Sequence, residues 1–272
     1  MPRLTCRRRI APVGLWFQTM GMLCDLEFAF ELADLAASVS LERFRLGEFS
    51  VSTKSDGSPV TDVDRAVERA LRDRIGHARG HDMVIGEEGG RSGRSERCWY
   101  LDPIDGTTRF VAGDPKWVTL IALTDRQTVM IGVVDAPALG ERWWARRGDG
   151  AFRDGAPISV STTARLSEAV VSDDWRHHIA CGFTDHPLTV VAGHCARVRP
   201  HQGNSFLAVA CGEADVAVGA GGHPWDYAAL KIIVEEAGGA FTDFANGPRI
   251  DTRQAVATNA LLHAQVLGVL PR

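Results

Sequence analysis

The sequence predicts a fold in which α-helices and β-strands are mixed along the chain. A helical stripe of apolar residues begins at Leu26, a second runs from Thr61 to Arg74, and three strands separated by turns lie between residues 118 and 145. A strongly apolar helix over residues 227–237 ends at Gly238-Gly239, which is a typical C-terminal cap. Elements that interleave in this way indicate a layered core, and 272 residues are enough to bury one.

The first half of the chain is predicted to hold two helices and a series of strands. The apolar positions of the first helix recur with helical spacing at Leu26, Phe28, Ala29, Leu32, Leu35, Ala36 and Val39. A polar stretch over residues 52–59 precedes the second helix, whose start Thr61 or Asp62 can cap. Residues 83–86 and 98–101 are predicted as short buried strands that run straight into acidic residues. A meander of three strands follows at 118–124, 129–136 and 141–145.

The second half has less regular patterns, without an internal repeat or a low-complexity linker. Strands are predicted at 170–172, 189–192, 214–218 and 255–258. Helices are predicted at 205–211, 227–237 and 263–270. We expect an N-terminal α+β half over residues 22–155 and a C-terminal α/β half over residues 156–272, which share one cleft.

The N-terminal segment, residues 1–21, is expected to be a disordered extension or a mis-assigned start, with the true start at Met20 or Met22. Arg7–Arg9 followed by the apolar residues 10–17 superficially resembles a signal peptide. The apolar run is short, is broken by proline and glycine, and lacks a small-x-small cleavage site, so secretion is not predicted.

Charge and cysteine content exclude several classes of function. The net charge of −4 does not favour a nucleic-acid partner, and no apolar run approaches the ~20 residues that span a membrane. The six cysteines include no CxxC pair, so neither a zinc site nor a redox dithiol is indicated. Scattered thiols fit a reducing compartment, and we expect a cytoplasmic protein.

Acidic residues concentrate in three short segments. Residues 102–108 read DPIDGTT, Gly86–Glu88 ends a predicted strand, and Asp226 precedes the apolar helix. Pro103 fixes φ and removes an N–H donor, so the two aspartates of DPIDGTT can point into one space together with the carbonyl of Ile104. Oxygen ligands of this kind suit hard divalent cations such as Mg²⁺ or Mn²⁺.

Each segment alone has an ordinary structural interpretation. Asp226 alone is most simply an N-cap, residues 86–88 a solvated turn, and His223 a structural histidine. Their occurrence together indicates a site. Gly106 lets the backbone approach a ligand closely, and a helix that begins near Thr107 would direct free N–H groups towards an anion such as phosphate.

Together the segments resemble the inositol monophosphatase superfamily, the lithium-sensitive type of Mg²⁺-dependent phosphatases. Its signatures are a GEE turn, a DPIDGTT loop and a WD pair before a helix, which stand here at Gly86–Glu88, Asp102–Thr108 and Trp225-Asp226. A fourth match is Val60–Asp64, preceded by Lys54. The resemblance extends from the first predicted helix to the C-terminus. It implies an α+β fold, a layered α/β sandwich of the inositol monophosphatase and fructose-1,6-bisphosphatase type, and a homodimer.

The resemblance also implies roles for single residues. Two or three Mg²⁺ ions, for which Mn²⁺ can substitute, would be bound by Glu87, Asp102, the Ile104 carbonyl, Asp105 and Asp226. Glu88 would hold or activate water, and Thr107, supported by Asp64, would orient the nucleophilic water. The backbone of Gly106 and Thr107 would hold the phosphate. The implied substrate contacts are His223, Asn204 and Ser205.

The substrate is expected to be a small-molecule phosphate monoester. Residues 132–146 and 255–263 look most like the histidinol-phosphatase branch of the superfamily. The pocket departs from that branch, because the family's glutamate seven residues before the WD aspartate is Gly219 here and the segment 201–205 is altered. Loss of a buried polar partner changes specificity strongly. We therefore expect Mg²⁺-dependent hydrolysis of a phosphate on a polyol, amino alcohol, aminocyclitol or sugar in a specialised biosynthetic pathway.

Three alternatives stay open at the level of the sequence. One is a histidinol-phosphate phosphatase of histidine biosynthesis. Another is a 3′-phosphoadenosine-phosphate or bisphosphate phosphatase, for which Arg109, Arg197 and Arg199 would supply extra positive charge. The third is a non-catalytic regulatory protein on a phosphatase fold, although such proteins normally lose a metal ligand. The adjacent Trp143 and Trp144 are expected in the core rather than at a dimer surface.

Overall fold

The computed structural model describes residues 24–173, 187–200 and 203–270, so the predicted extension over residues 1–21 lies outside the described residues. In the described ranges, helices pack on sheets of two, eight and five strands. This layered arrangement confirms the predicted α+β fold. No helix within these ranges is both long and apolar enough to cross a membrane.

Two long helices and a hairpin open the described chain. Their order is α1 (Asp25–Leu46), β1 (Val51–Thr53), β2 (Pro59–Thr61) and α2 (Asp62–Ala78). A left-handed φ of 67° at Gly47 ends α1. Thr61 caps α2, because its hydroxyl oxygen accepts the N–H groups of Val63 and Asp64. The hairpin lies in the stretch predicted only as polar, because three-residue strands are too short to show an alternating pattern.

A large mixed sheet follows the two helices. Its elements are β3 (Met83–Gly86), β4 (Gly90–Ser92), β5 (Arg97–Asp105), α3 (Thr107–Val111), β6 (Val118–Asp125), β7 (Thr128–Ala136), β8 (Glu141–Arg146), β9 (Gly150–Arg153) and β10 (Ala156–Ile158). The spatial order is β10-β9-β8-β7-β6-β5-β3-β4. Strands β3 and β5 pair in parallel, and the other neighbours pair antiparallel. The predicted meander is confirmed as β6, β7 and β8.

A smaller mixed sheet occupies the second half. Its elements are a 3₁₀ turn (Leu166–Glu168), β11 (Val170–Asp173), α4 (Pro187–Ala192), β12 (Arg197–Pro200), α5 (Ser205–Ala210), β13 (Val216–Ala220), α6 (Pro224–Glu236), β14 (Ala240–Thr242), β15 (Gln254–Thr258) and α7 (His263–Val269). The strand order is β12-β11-β13-β15-β14. The prediction of a strand at 189–192 is wrong, because these residues belong to α4. Pro187 suits a first helical position, and Leu188 and Val191 are buried at helical spacing.

The large sheet is covered on both faces by apolar residues. One cluster packs α1 and α2 against it through side chains such as Phe28 and Trp99. A second cluster joins it to α6 and the small sheet through Trp143, Ile232 and Phe241. Trp143 is only 7% exposed, which confirms its predicted place in the core. Helix α6 therefore lies between the sheets and belongs to the core of both.

The close approach of α6 to the large sheet at Gly132 predicts one stability effect. A Cβ atom at Gly132 of β7 would lie 2.6 Å from both the Ala229 carbonyl oxygen and Ile232 Cγ2. We expect Gly132→Ala to lower the free energy of unfolding by about 1–3 kcal/mol through overpacking. Urea denaturation with an unchanged m-value measures this loss. Gly76→Ala in α2 is the matched control, because its methyl group would meet nothing within 4 Å, and it should keep or slightly raise stability.

Candidate active site

The acidic segments meet where strands β3 and β5 end. The two strands run parallel with Gly86 opposite Leu101, and the Glu87 N–H donates to the Leu101 carbonyl at 3.2 Å. The pairing of β5 with β6 shifts register between Asp102 and Asp105, as expected from Pro103. The Thr119 hydroxyl donates to the Pro103 carbonyl at 2.8 Å and holds this break in place.

Asp102 lies at the centre of the acidic cluster. It is 2% exposed, and its Oδ1 accepts the Ile104 N–H at 3.1 Å. Its carboxyl group lies beside the carboxyl groups of Glu87 and Asp226. Burial, followed by repulsion from Glu87, Asp105 and Asp226, raises the pKa of Asp102 well above its ordinary value.

Asp226 reaches the cluster from the first turn of α6. Its Oδ2 accepts the His223 N–H at 2.6 Å, so this carboxylate also caps the helix. The capping role and the place in the acidic cluster, which are alternatives in the sequence, are both present in the structure. Burial raises the pKa of Asp226, although the hydrogen bond from His223 opposes the shift.

Lys54 bridges the two glutamates of the GEE turn. Its Nζ lies 2.6 Å from Oε1 of Glu87 and 2.6 Å from Oε1 of Glu88. Burial by itself would lower the pKa of Lys54, but the two carboxylates outweigh it and raise that pKa. Burial also raises the pKa of Glu88, with Lys54 opposing the shift. Lys54 is not among the predicted site residues, although it is one of only three lysines in the chain and lies six positions before Val60 of the matched segment.

Asp64 and Thr107 form a polar pair beside the carboxylates. Thr107 Oγ1 lies 3.1 Å from Asp64 Oδ1 and 3.1 Å from the Ile104 carbonyl oxygen, so its one proton can serve either acceptor. Asp64 is fully buried and also accepts the N–H of Thr61 at 2.8 Å and the Thr61 hydroxyl. Burial raises the pKa of Asp64, and the hydrogen bonds from both threonines oppose the shift.

Helix α3 starts directly after the DPIDG segment. Its N-cap Gly106 has a left-handed φ of 89°, and the Gly106 carbonyl accepts the N–H groups of Arg109 and Phe110 at 2.8 and 3.0 Å. The turn is followed by Thr107, whose Oγ1 lies 3.1 Å from Asp64 Oδ1. The helix that the sequence suggested near Thr107 is present, with Thr107 as its first residue.

The three predicted substrate contacts lie at different depths. Asn204 caps α5 by accepting the Phe206 N–H at 3.0 Å, and its Nδ2 is 3.5 Å from Asp105 Oδ2. Ser205 is 3% exposed and accepts the Ser172 hydroxyl at 3.1 Å, so it lies behind the site wall. The His223 ring stacks on Trp225 with centroids 4.6 Å apart. His201 and Gln202 of the altered segment lie outside the described residues.

Aromatic side chains fill the space beside Gly219. A Cβ atom there would lie 3.0 Å from both Phe206 Cζ and the Tyr227 hydroxyl oxygen. That hydroxyl also accepts the Gly222 N–H at 3.2 Å, and burial raises the pKa of Tyr227 to about 12. The position where the family has a glutamate is therefore closed to a larger side chain unless Phe206 or Tyr227 moves.

A cleft of about 800 Å³ opens from Asp105, Gly106 and Asn204. Its apolar lining residues include Trp143 and Leu207, and its basic lining residues are Arg109, Lys116, Arg153 and Arg199. Several of these cations already have anionic or carbonyl partners: Arg153 pairs with Glu141 and Glu213, Arg109 with Asp114, and Arg199 with the Glu213 carbonyl. Arg197, predicted as a further basic contact, is exposed on β12 and does not line the cleft.

Known proteins match this chain over most of its length. Residues 23–270 match the inositol monophosphatase family. A histidinol-phosphatase of Mycobacterium tuberculosis is 43% identical over 89% of this chain and 96% of its own length. A histidinol-phosphatase of Streptomyces coelicolor is 37% identical over 91% of this chain and 97% of its own length.

A solved structure supports the same assignment. The IMPase of Thermotoga maritima superposes with a TM-score of 0.77 at 32% sequence identity, covering 90% of this chain and 95% of that chain. The predicted resemblance to the superfamily, nearest its histidinol-phosphatase branch, is confirmed by these matches. The chain thus belongs to the inositol monophosphatase family and is a phosphoric monoester hydrolase.

Proposed function

We propose that this phosphatase hydrolyses histidinol phosphate with the help of Mg²⁺. The phosphatase part rests on the carboxylates gathered around Asp102 beside the Thr107–Asp64 pair. The substrate part rests on the two histidinol-phosphatases that share 43% and 37% identity with this chain. From Gly219 in the sequence we expect an aminocyclitol or sugar phosphate as the substrate. These relatives favour histidinol phosphate instead, which the sequence leaves open as an alternative.

The donor groups fit a hard divalent cation in kind and charge. Four carboxylates and the Ile104 carbonyl supply oxygen atoms, and the family is generally Mg²⁺-dependent. Burial and mutual repulsion raise the pKa of Asp102, which is an electrostatic strain that a cation would relieve. Glu88 Oε1 is buried, and Lys54 Nζ, at 2.6 Å, is the cation beside it in the described residues.

The side chains are close in pairs without converging on one point. Within the described ranges, no group of three or more His, Cys, Asp or Glu side chains is arranged to hold a metal ion. Glu87 Oε1 accepts a hydrogen bond from Lys54 Nζ at 2.6 Å. We propose that two or three Mg²⁺ ions would be held by Glu87, Asp102, the Ile104 carbonyl, Asp105 and Asp226.

The reaction adds water to the phosphorus atom and releases an alcohol and inorganic phosphate. Bound Mg²⁺ supplies positive charge that offsets the phosphate dianion and acidifies water. The polypeptide positions the attacking water and the phosphate. When Thr107 donates its proton to Asp64, the lone pairs of its hydroxyl oxygen are free to accept a hydrogen bond from water and orient it. Glu88, whose pKa is raised by burial, would accept a proton from that water.

The phosphate and the leaving group are proposed to lie on either side of Asp105. The backbone of Gly106 and Thr107 would bind phosphate oxygens through N–H groups. Asn204, whose amide nitrogen is 3.5 Å from Asp105 Oδ2, would contact the alcohol part, with His223 next to Asp226 as a second contact. Ser205 is too deeply buried for direct contact and would act by fixing the start of α5.

Aminocyclitol and sugar phosphates form the second candidate class of substrates. The closed space at Gly219 favours them, because Phe206 and Tyr227 stand where the family's glutamate would contact the substrate. A bisphosphate is disfavoured, because the cleft arginines already have partners and Arg197 lies elsewhere.

A substrate panel tests the choice between these classes. Phosphate release with Mg²⁺ should be fastest from histidinol phosphate, with kcat/KM at least about tenfold above inositol, aminocyclitol and sugar phosphates and 3′-phosphoadenosine phosphate. EDTA should abolish release, and Li⁺ serves as a second control. A clear preference for an aminocyclitol or sugar phosphate would replace the proposed substrate and keep the phosphatase site.

Removal of one carboxylate tests the site. Asp105→Asn should keep the fold and lower kcat by at least about a hundredfold, because positive charge is no longer held beside the phosphate. Rates at saturating Mg²⁺ measure this. Asp149→Asn is the matched control, since Asp149 pairs with Arg146 on the surface, and it should keep the parent rate. Near-parent turnover by Asp105→Asn would contradict the assignment.

The repulsion around Asp102 predicts that removing its charge stabilises the metal-free protein. The pKa of Asp102 is higher in the folded than in the unfolded chain, so metal-free stability falls as the pH rises through the folded value. Asp102→Asn removes this loss. In EDTA the variant should be more stable than the parent, on the order of 1 kcal/mol at pH 8 and less at pH 5. Urea denaturation at both pH values measures the difference, and a variant that is less stable than the parent at pH 8 would contradict it.

A further inference from the structure

We propose that Glu68 is a positioning residue that holds the Glu87-Glu88 turn in the geometry needed for cation binding. The inference rests on the proposed metal-binding role of that turn. Glu68 lies on α2, one helical turn after Asp64, and is 2% exposed. It is a carboxylate placed on the buried face of an amphipathic helix, where a charged residue needs specific partners.

The Glu68 carboxylate binds the backbone of the turn directly. Its Oε2 accepts the Glu88 N–H at 2.7 Å, and its Oε1 accepts the Gly89 N–H at 2.7 Å. Two consecutive backbone N–H groups that point at one carboxylate fix the orientation of the peptide planes between them. The Glu88 side chain leaves from the same backbone, so its direction depends on these two bonds.

Arg72 completes the contact from the next turn of α2. Its Nε donates to Glu68 Oε1 at 2.6 Å, and its two terminal nitrogens donate to the Gly90 carbonyl at 2.5 Å and the Ser92 hydroxyl at 2.9 Å. The guanidinium group thus links Glu68 to the strand that leaves the turn. Helix α2 carries Asp64 and also binds the Glu87-Glu88 turn through Glu68 and Arg72. One rigid helix therefore sets the positions of Asp64 and of that turn.

The glycines of the turn are fitted to the Glu68 carboxylate. A Cβ atom at Gly86 would lie 2.5 Å from Glu68 Cδ, and one at Gly89 would lie 2.7 Å from Glu68 Oε1. The backbone therefore closes over the carboxylate more tightly than any other residue would allow. Lys54 contacts the Glu87 and Glu88 carboxylates of the same turn.

Glu68→Gln tests this role, because the amide can accept only one of the two N–H groups and turns its own N–H₂ towards the other. Calorimetric titration of the full chain with Mg²⁺, without substrate, should show at least a tenfold weaker affinity. The Mg²⁺ concentration for half-maximal hydrolysis should rise to a similar degree. The KM for substrate at saturating Mg²⁺ should change less than threefold.

A second variant disturbs the turn without changing any charge. Gly89→Ala places a methyl group against Glu68 Oε1 and Arg72 Nε, and should also weaken Mg²⁺ binding at least tenfold. Gly76→Ala, on the same helix as Glu68 but in open space, is its control and should bind Mg²⁺ as the parent does. If Glu68→Gln does not fold, the comparison of Mg²⁺ affinity between Gly89→Ala and Gly76→Ala decides whether the inference holds.

The titration separates failure of this inference from failure of the proposed function. The parent and Glu87→Gln are titrated beside the other variants. If the parent binds Mg²⁺ and Glu87→Gln does not, while the folded Glu68→Gln and Gly89→Ala proteins bind like the parent, Glu68 is merely structural and the inference is overturned. A parent that binds no Mg²⁺ overturns the proposed metal site and this inference together. A lower melting temperature with unchanged Mg²⁺ affinity also overturns the positioning role.

Discussion

The mutual repulsion of buried carboxylates around Asp102 is the constraint on which the rest of the site depends. Four acidic side chains from different parts of the chain are brought close together, and the fold has to hold them there at a cost in free energy. The compensating groups lie around the cluster. Lys54 offsets part of the negative charge of the GEE turn, the His223 N–H binds Asp226, and the Ile104 N–H binds Asp102.

Rigid secondary-structure elements hold the acidic side chains close together. The parallel pairing of β3 and β5 fixes two acidic strand ends side by side, and the start of α6 brings the third. Pro103 interrupts β5 where the side chains must turn inward. Helix α6 is also part of the core shared by both sheets, so the position of Asp226 is determined by apolar packing at a distance from the chemistry.

The sequence predicts those parts of the structure that depend on patterns of neighbouring residues. The long helices, the meander and the DPIDGTT segment each show their role within a few residues. The hairpin at residues 51–61 and helix α4 do not, because three-residue strands lack a period and a short run of β-branched residues favours a strand that tertiary packing overrules.

Contacts between distant residues were predictable only in part. Asp64 and Thr107 were paired through a family resemblance, whereas Glu68 has no such signal except a charge on the apolar face of α2. The filling of the space at Gly219 depends on two aromatic side chains that no spacing connects to it. Sequence patterns thus identify the candidate catalytic and metal-binding side chains, and the three-dimensional structure identifies the residues that position those side chains.

The place of α6 between the two sheets has a consequence for local opening. Any fluctuation that exposes the amides of Tyr227–Val234 must also break the apolar cluster that joins the sheets, because these side chains are buried on all sides of the helix. Opening of this buried part of the helix and loss of the core are therefore one cooperative event. Amide hydrogens of this helix should exchange with solvent no faster than global unfolding permits, so the part of the chain nearest the chemistry is among the least mobile.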